Sequence, residues 1–315
     1  MSDRRPIRVV ALSAGRPHWA GSNPGPAANI EHLMALAASS AAERPDLIVF
    51  PEFAVTGWPY PAEEVVRATG EAVPGDGPLY RRYAELARHT GAVVCGWLAE
   101  RETETVYHNT AFLVGPDGAF LGKYRKVHPT PSEEGVWWFA PGDDIPVYDL
   151  GFARVGMAIC WDMDYPEVCR TLLLRGAELV LHPTVANDRR DVCPVRCKEN
   201  HLPMVVSVYE EASYVLDASG AVLADLGEGA GGALVCTLDL GRVDWRSKYG
   251  LLHDPRRMLL ARRRPAAYGA LVDEGRVPPW TEVFRTTDHR PLTDDDLAAR
   301  FPRLARPPEE ETPRA

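Results

Sequence analysis

Short β-like runs alternate with helical stretches along most of this chain, and that alternation restricts its fold more than any other feature. Continuous apolar runs of the buried-strand type occupy residues 46–53 and 153–160. An amphipathic helix is predicted over residues 77–91, where a glycine ends it. Glycine-containing turns at residues 115–118 and 219–220 predict two hairpins. This pattern predicts a layered α/β fold with helices outside the sheets.

The composition changes near residue 245, and the chain of 315 residues is long enough for one large α/β domain before that point. Beyond it, residues 256–271 are strongly basic with a plausible helix, and the last stretch is charged and rich in proline. We therefore predict an α/β domain over residues 1–245. The C-terminal extension, residues 246–315, is expected to hold a helix followed by an extended or disordered arm.

Charge and cysteine usage exclude several classes of protein. The net charge of -9 argues against nucleic-acid binding through a broad basic surface. Neither a signal peptide nor a membrane-length apolar run is evident, so we expect a cytoplasmic protein without a membrane partner. The six cysteines form no dense framework, and reduced thiols are expected. Cys193 and Cys197 are four apart, but only His182 and His201 lie nearby, so no metal site is expected.

Three polar residues follow or end predicted buried strands. Glu52 comes just after one such strand, where a buried carboxylate requires a partner. Lys126 lies in a short basic segment, on the opposite face of a strand from Arg125, so one of these cations can point inward at a carboxylate. Taken singly, a solvated basic turn and a strand-end glutamate are the simpler interpretations.

Cys160 ends a strand that passes through a turn into a helix beginning near Pro166. A nucleophile at such a turn is held exposed, and neighbouring backbone N–H groups can bind an oxyanion. The positive end of the helix is also expected to favour the thiolate. An inert buried cysteine is the competing interpretation.

The three segments occur in an order that resembles the nitrilase superfamily of carbon–nitrogen hydrolases, over residues 7–240. The matching motifs are PEFAVTGW with Glu52, YRKVHP with Lys126 and CWDMDYPE with Cys160. Two further stretches are similar to family segments: one contains Arg196, Glu199 and Asn200, and the other contains Ser213, Asp217 and Gly220. The resemblance implies a four-layer αββα sandwich that is usually a homodimer or a larger homo-oligomer.

The resemblance also implies the site. Glu52 would act as general base, Cys160 as nucleophile, and Lys126 with the backbone N–H of Trp161 as the oxyanion-binding groups. A second glutamate follows the lysine in this family; Glu133 aligns best, and a one-residue gap would move the role to Glu134. Neither a metal nor an organic cofactor is required.

Residues beside the site set expectations about the substrate. The Trp161-Asp162 pair and the following Tyr-Pro-Glu resemble the amidase and N-carbamoyl amidohydrolase branches more than the true nitrilases, which usually carry Trp-Glu. A small amide, carbamoyl or nitrile compound is therefore expected, with the nitrile as the alternative. Aromatic, imidazole and guanidinium side chains are expected to line the pocket or pair a ligand carboxylate: Tyr60, Trp137, His182 and Arg189.

Other classes remain open. A cysteine–histidine enzyme would use His128, His182 or His201 as its base. An acyltransferase on the same fold would pass the acyl group to an amine or alcohol instead of water. A non-catalytic binding protein would keep the fold without turnover.

Overall fold

Two mixed sheets form the centre of the molecule. The structure, a computed structural model, describes residues 5–15, 23–58, 63–135, 139–186, 190–227, 229, 231–241 and 255–272. The first sheet contains β1 (Ile7–Ser13), β2 (Leu47–Val49), β3 (Val93–Arg101), β4 (Tyr107–Val114), β5 (Phe120–Arg125) and β12 (Gly232–Leu238). The second contains β6 (Val147–Asp149), β7 (Arg154–Met157), β8 (Leu179–Thr184), β9 (Met204–Val208), β10 (Tyr214–Leu216) and β11 (Val222–Asp225). The helices are α1 (Pro26–Ser39), α2 (Glu63–Thr69), α3 (Pro78–Thr90), α4 (Pro131–Gly135), α5 (Pro166–Leu174), α6 (Val192–Asn200) and α7 (Pro255–Arg262).

The two sheets share one topology. The strand orders are β12-β1-β2-β3-β4-β5 and β6-β7-β8-β9-β10-β11. In each sheet the second, third and fourth strands of that order are parallel, and every other pair is antiparallel. Carboxyl ends of parallel strands meet at one edge of a sheet, which is where ligands bind in such sheets. The residues that follow β2, β7 and β8 are therefore brought to such edges.

Alternating side chains of the central strands serve two apolar interfaces, which explains their continuous hydrophobic runs. Val9 and Ala11 of β1 pack between the sheets, whereas Val10 and Leu12 pack toward α1 and α3. In the second sheet, Val180 of β8 packs toward α5 and α6. Three core clusters thus separate four layers, and the predicted αββα sandwich is confirmed.

Local signals in the sequence predicted most element boundaries well. Helix α3 ends at Gly91, which adopts a left-handed conformation with φ 68°. Both predicted hairpins form, linking β4 to β5 and β10 to β11. Strand β6 and helix α2 were not predicted, because three and seven residues are too short to reveal a hydrophobic period.

The boundary near residue 245 remains a prediction. Helix α7 lies within the predicted extension, whereas residues 242–254 and 273–315, including the predicted arm, lie outside the described residues. Among the helices that the structure describes, none has the length and apolar character needed to cross a membrane.

Candidate active site

Glu52 lies three residues beyond β2, in a turn that is buried by the first sheet and its helices. Its side chain is almost completely buried. Oε1 accepts hydrogen bonds from Nζ of Lys126 at 2.9 Å and from Nδ2 of Asn109 at 2.7 Å. Oε2 is also buried and has no hydrogen-bond partner within the described part of the chain. A buried carboxylate oxygen without a donor is expensive in free energy, and functional sites are where such atoms persist.

Lys126 directly follows β5 and points inward, which decides the choice that strand alternation left open between Lys126 and Arg125. Its ammonium group lies 2.7 Å from Oε2 of Glu133, and its side chain is 1% exposed. Arg125 turns to the other side, where it pairs with Glu100 at 2.7 Å, and Lys123 joins that second cluster. The basic segment is therefore divided between two carboxylate clusters, and only Lys126 reaches Glu52.

The second glutamate of the site is Glu133, whereas Glu134 is exposed. Glu133 occupies the third position of α4, and Thr130 precedes that helix. The backbone N–H of Thr130 donates to Oε2 of Glu133 at 2.7 Å, and the Thr130 hydroxyl accepts from the backbone N–H of Glu133 at 3.2 Å. This reciprocal pair is a capping box. It fixes which of the two glutamates turns inward.

Cys160 is the first residue of a 3₁₀ turn, Cys160–Asp164, that joins β7 to α5. Its φ of 44° is rare for a residue with a side chain, and such strain concentrates at functional sites. All six cysteines lie in the described residues; five are buried, and Cys160 is partly exposed. The hydroxyl of Thr184, at the end of β8, lies near the thiol and donates to the carbonyl of Ala186 at 3.2 Å.

The charges at the site act strongly on one another. Burial raises the pKa of the Glu52 carboxyl, although Lys126 partly offsets this effect. Burial opposes the charged form of Lys126, but the carboxylates of Glu133 and Glu52 outweigh it and raise the pKa of the ammonium well above its ordinary value. The site therefore retains its buried cation.

Burial, followed by the negative charge of Glu52, raises the pKa of the Cys160 thiol. The expectation that a helix end favours the thiolate was therefore wrong. Helix α5 begins only at Pro166, beyond the 3₁₀ turn, while two carboxylates act directly on the sulfur. The side chain of Cys160 is therefore held as a neutral thiol.

Asp162 holds the turn that carries Cys160. Its fully buried carboxylate accepts from the backbone N–H of Ile159 at 2.8 Å and from the Tyr124 hydroxyl at 2.7 Å. The backbone N–H and the ring Nδ1 of His128 contact its other oxygen at 3.1 and 3.0 Å. From α6, Nε of Arg196 donates to the carbonyl of Met163 at 2.9 Å. These contacts tie the nucleophile turn to the segment that follows Lys126.

The histidines proposed for a cysteine–histidine enzyme have other contacts. His128 binds Asp162 and stacks on Tyr165 with ring centroids 3.6 Å apart. His182 is fully buried, and its Nδ1 lies 2.8 Å from the carbonyl of Ala158. It thus supports the strand leading to Cys160. His201 follows the last residue of α6 and adopts a left-handed backbone conformation.

Asn109 is the site residue that sequence reasoning missed. It is fully buried in the middle of β4, and its amide donates to both Glu52 and Glu133. Asparagine is disfavoured inside strands, so its presence in the apolar run of β4 was the available signal.

The expected substrate-binding residues are only partly accounted for. Tyr60, Trp137 and Arg189 lie outside the described residues. Trp161 is partly exposed in the nucleophile turn, with its ring edge-on to Tyr165. Arg190, which follows Arg189 in the chain, forms an ion pair with Asp225 at 2.6 Å and packs over the ring of Tyr214.

Comparison with known proteins identifies the family. Residues 10–246 match the carbon–nitrogen hydrolase family, and the chain belongs to it. A nitrilase of Pyrococcus abyssi is 37% identical over 164 residues, which cover 51% of this chain and 61% of that protein. The N-carbamoylputrescine amidase of Arabidopsis thaliana is 28% identical over 228 residues, covering 62% and 73%.

The fold is also that of a solved relative. The crystal structure of an amidase from Nesterenkonia sp. superposes with a TM-score of 0.61 at 24% identity, covering 74% of this chain and 90% of that one. The chain spans about three fifths of the length of the Pyrococcus nitrilase. The chain is therefore a member of the carbon–nitrogen hydrolase family, with both amidases and nitrilases among its relatives.

Proposed function

We propose that this protein hydrolyses a small amide or N-carbamoyl compound to an acid and ammonia or an amine, through a thioester on Cys160. The observation that carries the proposal is the free, buried Oε2 of Glu52 in a cluster that also acts on the thiol. A neutral thiol next to a base with one open acceptor atom is the arrangement that general-base activation requires.

The charges support Glu52 as the proton acceptor. Glu52, Glu133 and Lys126 together carry one net negative charge when all are ionised, so uptake of one proton neutralises the cluster. Glu52 takes the thiol proton as the sulfur attacks the substrate carbon. Lys126 and the backbone N–H of Trp161 stabilise the oxyanion that forms.

The remaining steps restore the enzyme. The leaving nitrogen takes the proton from Glu52 and departs as ammonia or an amine, leaving the acyl group on Cys160. Glu52 then removes a proton from water, which attacks the thioester. The acid product leaves, and the sulfur regains its proton from Glu52. Atoms and protons balance with water as the only second substrate.

Amide or carbamoyl hydrolysis is preferred because the residue after Trp161 is Asp162, whereas true nitrilases usually carry glutamate there. Nitrile hydrolysis remains the second candidate, because the Pyrococcus relative at 37% identity is a nitrilase. The two differ in their products: a nitrilase converts a nitrile directly into acid and ammonia.

The test is a substrate panel of primary amides, N-carbamoyl amines, N-carbamoyl amino acids, ureido acids and nitriles, scored for ammonia and for acid. We expect turnover of an amide or carbamoyl compound, its loss in Cys160→Ala, and normal turnover in the control Cys236→Ala, which removes a thiol from β12. Activity retained in Cys160→Ala would overturn the assignment. With a carboxamide, ammonia release without matching acid would instead indicate an acyltransferase, whereas hydrolysis of a carbamoyl compound gives its amine, carbon dioxide and ammonia. A folded protein inactive on every member would favour a binding protein.

We also propose that the protein acts as a homodimer or larger homo-oligomer in the cytoplasm. The support is the resemblance to its family. Light scattering on the purified chain measures the oligomer size, and a monomer at micromolar concentration would contradict the first part.

A further inference from the structure

The cluster of charges contains a neutral side chain that contacts both carboxylates. Nδ2 of Asn109 donates to Oε1 of Glu52 at 2.7 Å and also to Oε1 of Glu133. The amide group has two N–H donors, and both are used here. Asn109 is therefore a bridge between the two acids, in addition to Lys126.

Trp97 fixes the direction of that amide. Its indole Nε1 donates to Oδ1 of Asn109 at 2.6 Å, and both residues are fully buried. Ala99 pairs with Asn109 across β3 and β4. Trp97, two residues before Ala99, is therefore the diagonal neighbour of Asn109 on the same face of the sheet. An indole can only donate, so the amide oxygen must face Trp97 and the N–H groups must face the carboxylates.

The two carboxylates are not equivalent as acceptors. Glu133 accepts four hydrogen bonds: two from Lys126, one from Asn109 and one from the backbone of Thr130. Glu52 accepts two, both at Oε1, and its Oε2 has no donor among the described residues. Donors stabilise the ionised form of a carboxylate, and Glu52, with few donors and one open oxygen, is therefore the acid placed to receive a proton.

We propose that Asn109, oriented by Trp97, is a positioning residue that holds Glu52 by Oε1, so that Oε2 stays open and receives the proton of the catalytic thiol. The inference rests on the proposed function, because it assigns Glu52 the role of base. It adds a division of labour: Glu133 remains the counter-ion of Lys126, and Asn109 prevents the two acids from exchanging roles.

Loss of the Asn109 contact should change the pKa of Glu52 in one direction. The groups that act on Glu52 are burial, Lys126, Glu133 and the Asn109 hydrogen bond, and the thiol of Cys160 lies beside it. The Asn109 bond lowers the pKa of Glu52, so removing it raises that pKa further. The acid limb of kcat/KM should then move to higher pH by about one unit, the size expected for one hydrogen bond to a charged group.

The experiment compares Trp97→Phe and Asn109→Ala with the control Tyr83→Phe. Tyr83 is equally buried and donates to the backbone carbonyl of Trp97 at 3.0 Å, so the control loses a buried donor without touching the carboxylates. We expect the acid limb of kcat/KM to move upward in both test variants and kcat to fall about tenfold. Tyr83→Phe should keep the wild-type limb.

Circular dichroism checks that each variant folds. If Asn109→Ala does not fold, the pH profile of Trp97→Phe alone tests the inference. A fall in kcat with an unmoved acid limb, or the same movement in Tyr83→Phe, would overturn the inference and reduce Asn109 to a packing role. Neither result would affect the proposed function, which Cys160→Ala tests. Activity in Cys160→Ala would remove the function and the inference together.

Discussion

At the scale of single residues, the proposed chemistry depends on the open oxygen of one buried acid, Glu52. Lys126 is shared between two carboxylates, so one negative charge stays uncompensated in a buried cluster. Such an uncompensated buried charge destabilises the fold, and functional sites are where it is retained. Here it produces a base of raised pKa next to a thiol of raised pKa. Two groups that both prefer to hold a proton can pass one between them at little cost in free energy.

The first prediction concerns pH. Glu52 must be ionised to accept the thiol proton, and burial raises its pKa above the ordinary value of a glutamic acid. Activity should therefore be complete above the pKa of Glu52 and decline as the pH falls through it. We expect the acid limb of the wild-type kcat/KM profile to lie above about pH 4.3, the value for a free glutamate. A limb at or below that value would contradict the assignment of Glu52 as a buried base.

Glu133 and Glu134 provide a matched pair for the second prediction. Glu133→Gln removes the charge that accepts two bonds from Lys126, and we expect kcat/KM to fall about a hundredfold, as for loss of one preorganised electrostatic partner. Glu134→Gln, on the adjacent exposed residue, should stay within about twofold of wild type. Steady-state kinetics of both variants on the same substrate make the comparison. Equal effects on kcat/KM would contradict the assignment of Glu133 as the second glutamate of the site.

Residues of the site differed in how far the sequence predicted them. Glu52, Lys126 and Cys160 were predicted because each is a polar residue at a strand end inside a distinctive motif. Glu133 was favoured over Glu134 only through the alignment with the family, because adjacent residues differ by one position; the capping box with Thr130 decides between them. Asn109 was missed because its function depends on two partners that are distant in sequence.

At the scale of elements, the nucleophile turn has to maintain an unfavourable backbone conformation. A non-glycine residue with positive φ costs of order 1–3 kcal/mol, and Cys160 has a φ of 44°. The bonds of Asp162 to Ile159, Tyr124 and His128 supply the compensation, and Arg196 adds another from α6. Strain at Cys160 is thus offset by contacts from β5, from the segment after Lys126 and from α6.

The third prediction tests that balance with Asp162→Asn. The amide has the shape of the carboxylate, but its NH₂ group must face a donor, either Ile159 N–H and the Tyr124 hydroxyl or His128. We expect about 2–3 kcal/mol less stability in denaturant unfolding, from lost charge-assisted bonds. Alkylation of Cys160 by iodoacetamide should also slow.

Asp164→Asn is the matched control, since Asp164 is exposed in the same turn. It should change stability by less than about 0.5 kcal/mol. A similar loss in both variants would show that the turn is held by α5 and not by the Asp162 contacts.

Elements with strong local signals were predictable and isolated short ones were not. Gly91 marked the end of α3, and glycine turns marked both hairpins. Strand β6 pairs only with β7 at a sheet edge, so its existence depends on tertiary pairing that no local pattern records.

At the scale of the whole molecule, the site lies across the two sheets. Glu52, Asn109 and Lys126 belong to the first sheet, whereas Cys160 and Thr184 belong to the second. The alternation of elements predicted the layers, but it did not predict that base and nucleophile would come from different layers. Packing between the sheets therefore sets the distance between Glu52 and Cys160.

Ser207 is a polar contact in that interface. From β9 of the second sheet, its buried hydroxyl lies 2.7 Å from the carbonyl of Leu12 and 3.0 Å from the carbonyl of Val49, which belong to β1 and β2 of the first. Val49 is three residues before Glu52. The hydroxyl thus connects the strand that leads to the base with the sheet that carries the nucleophile.

The fourth prediction is that Ser207→Ala lowers both stability and activity. The variant removes the one hydroxyl proton shared by two buried carbonyls, of which Leu12 keeps the Ser213 hydroxyl as a donor at 2.9 Å, and we expect a loss of about 1–3 kcal/mol in unfolding free energy. We also expect kcat/KM to fall about tenfold, because a small displacement of reacting groups reduces their productive alignment. The control is Ser40→Ala, which removes a buried hydroxyl that donates to the carbonyl of Ala37 at 2.7 Å in the helical layer of the first sheet. That variant should lose stability but retain kcat/KM; if Ser207→Ala behaved in the same way, apolar packing alone would hold Glu52 and Cys160 in register.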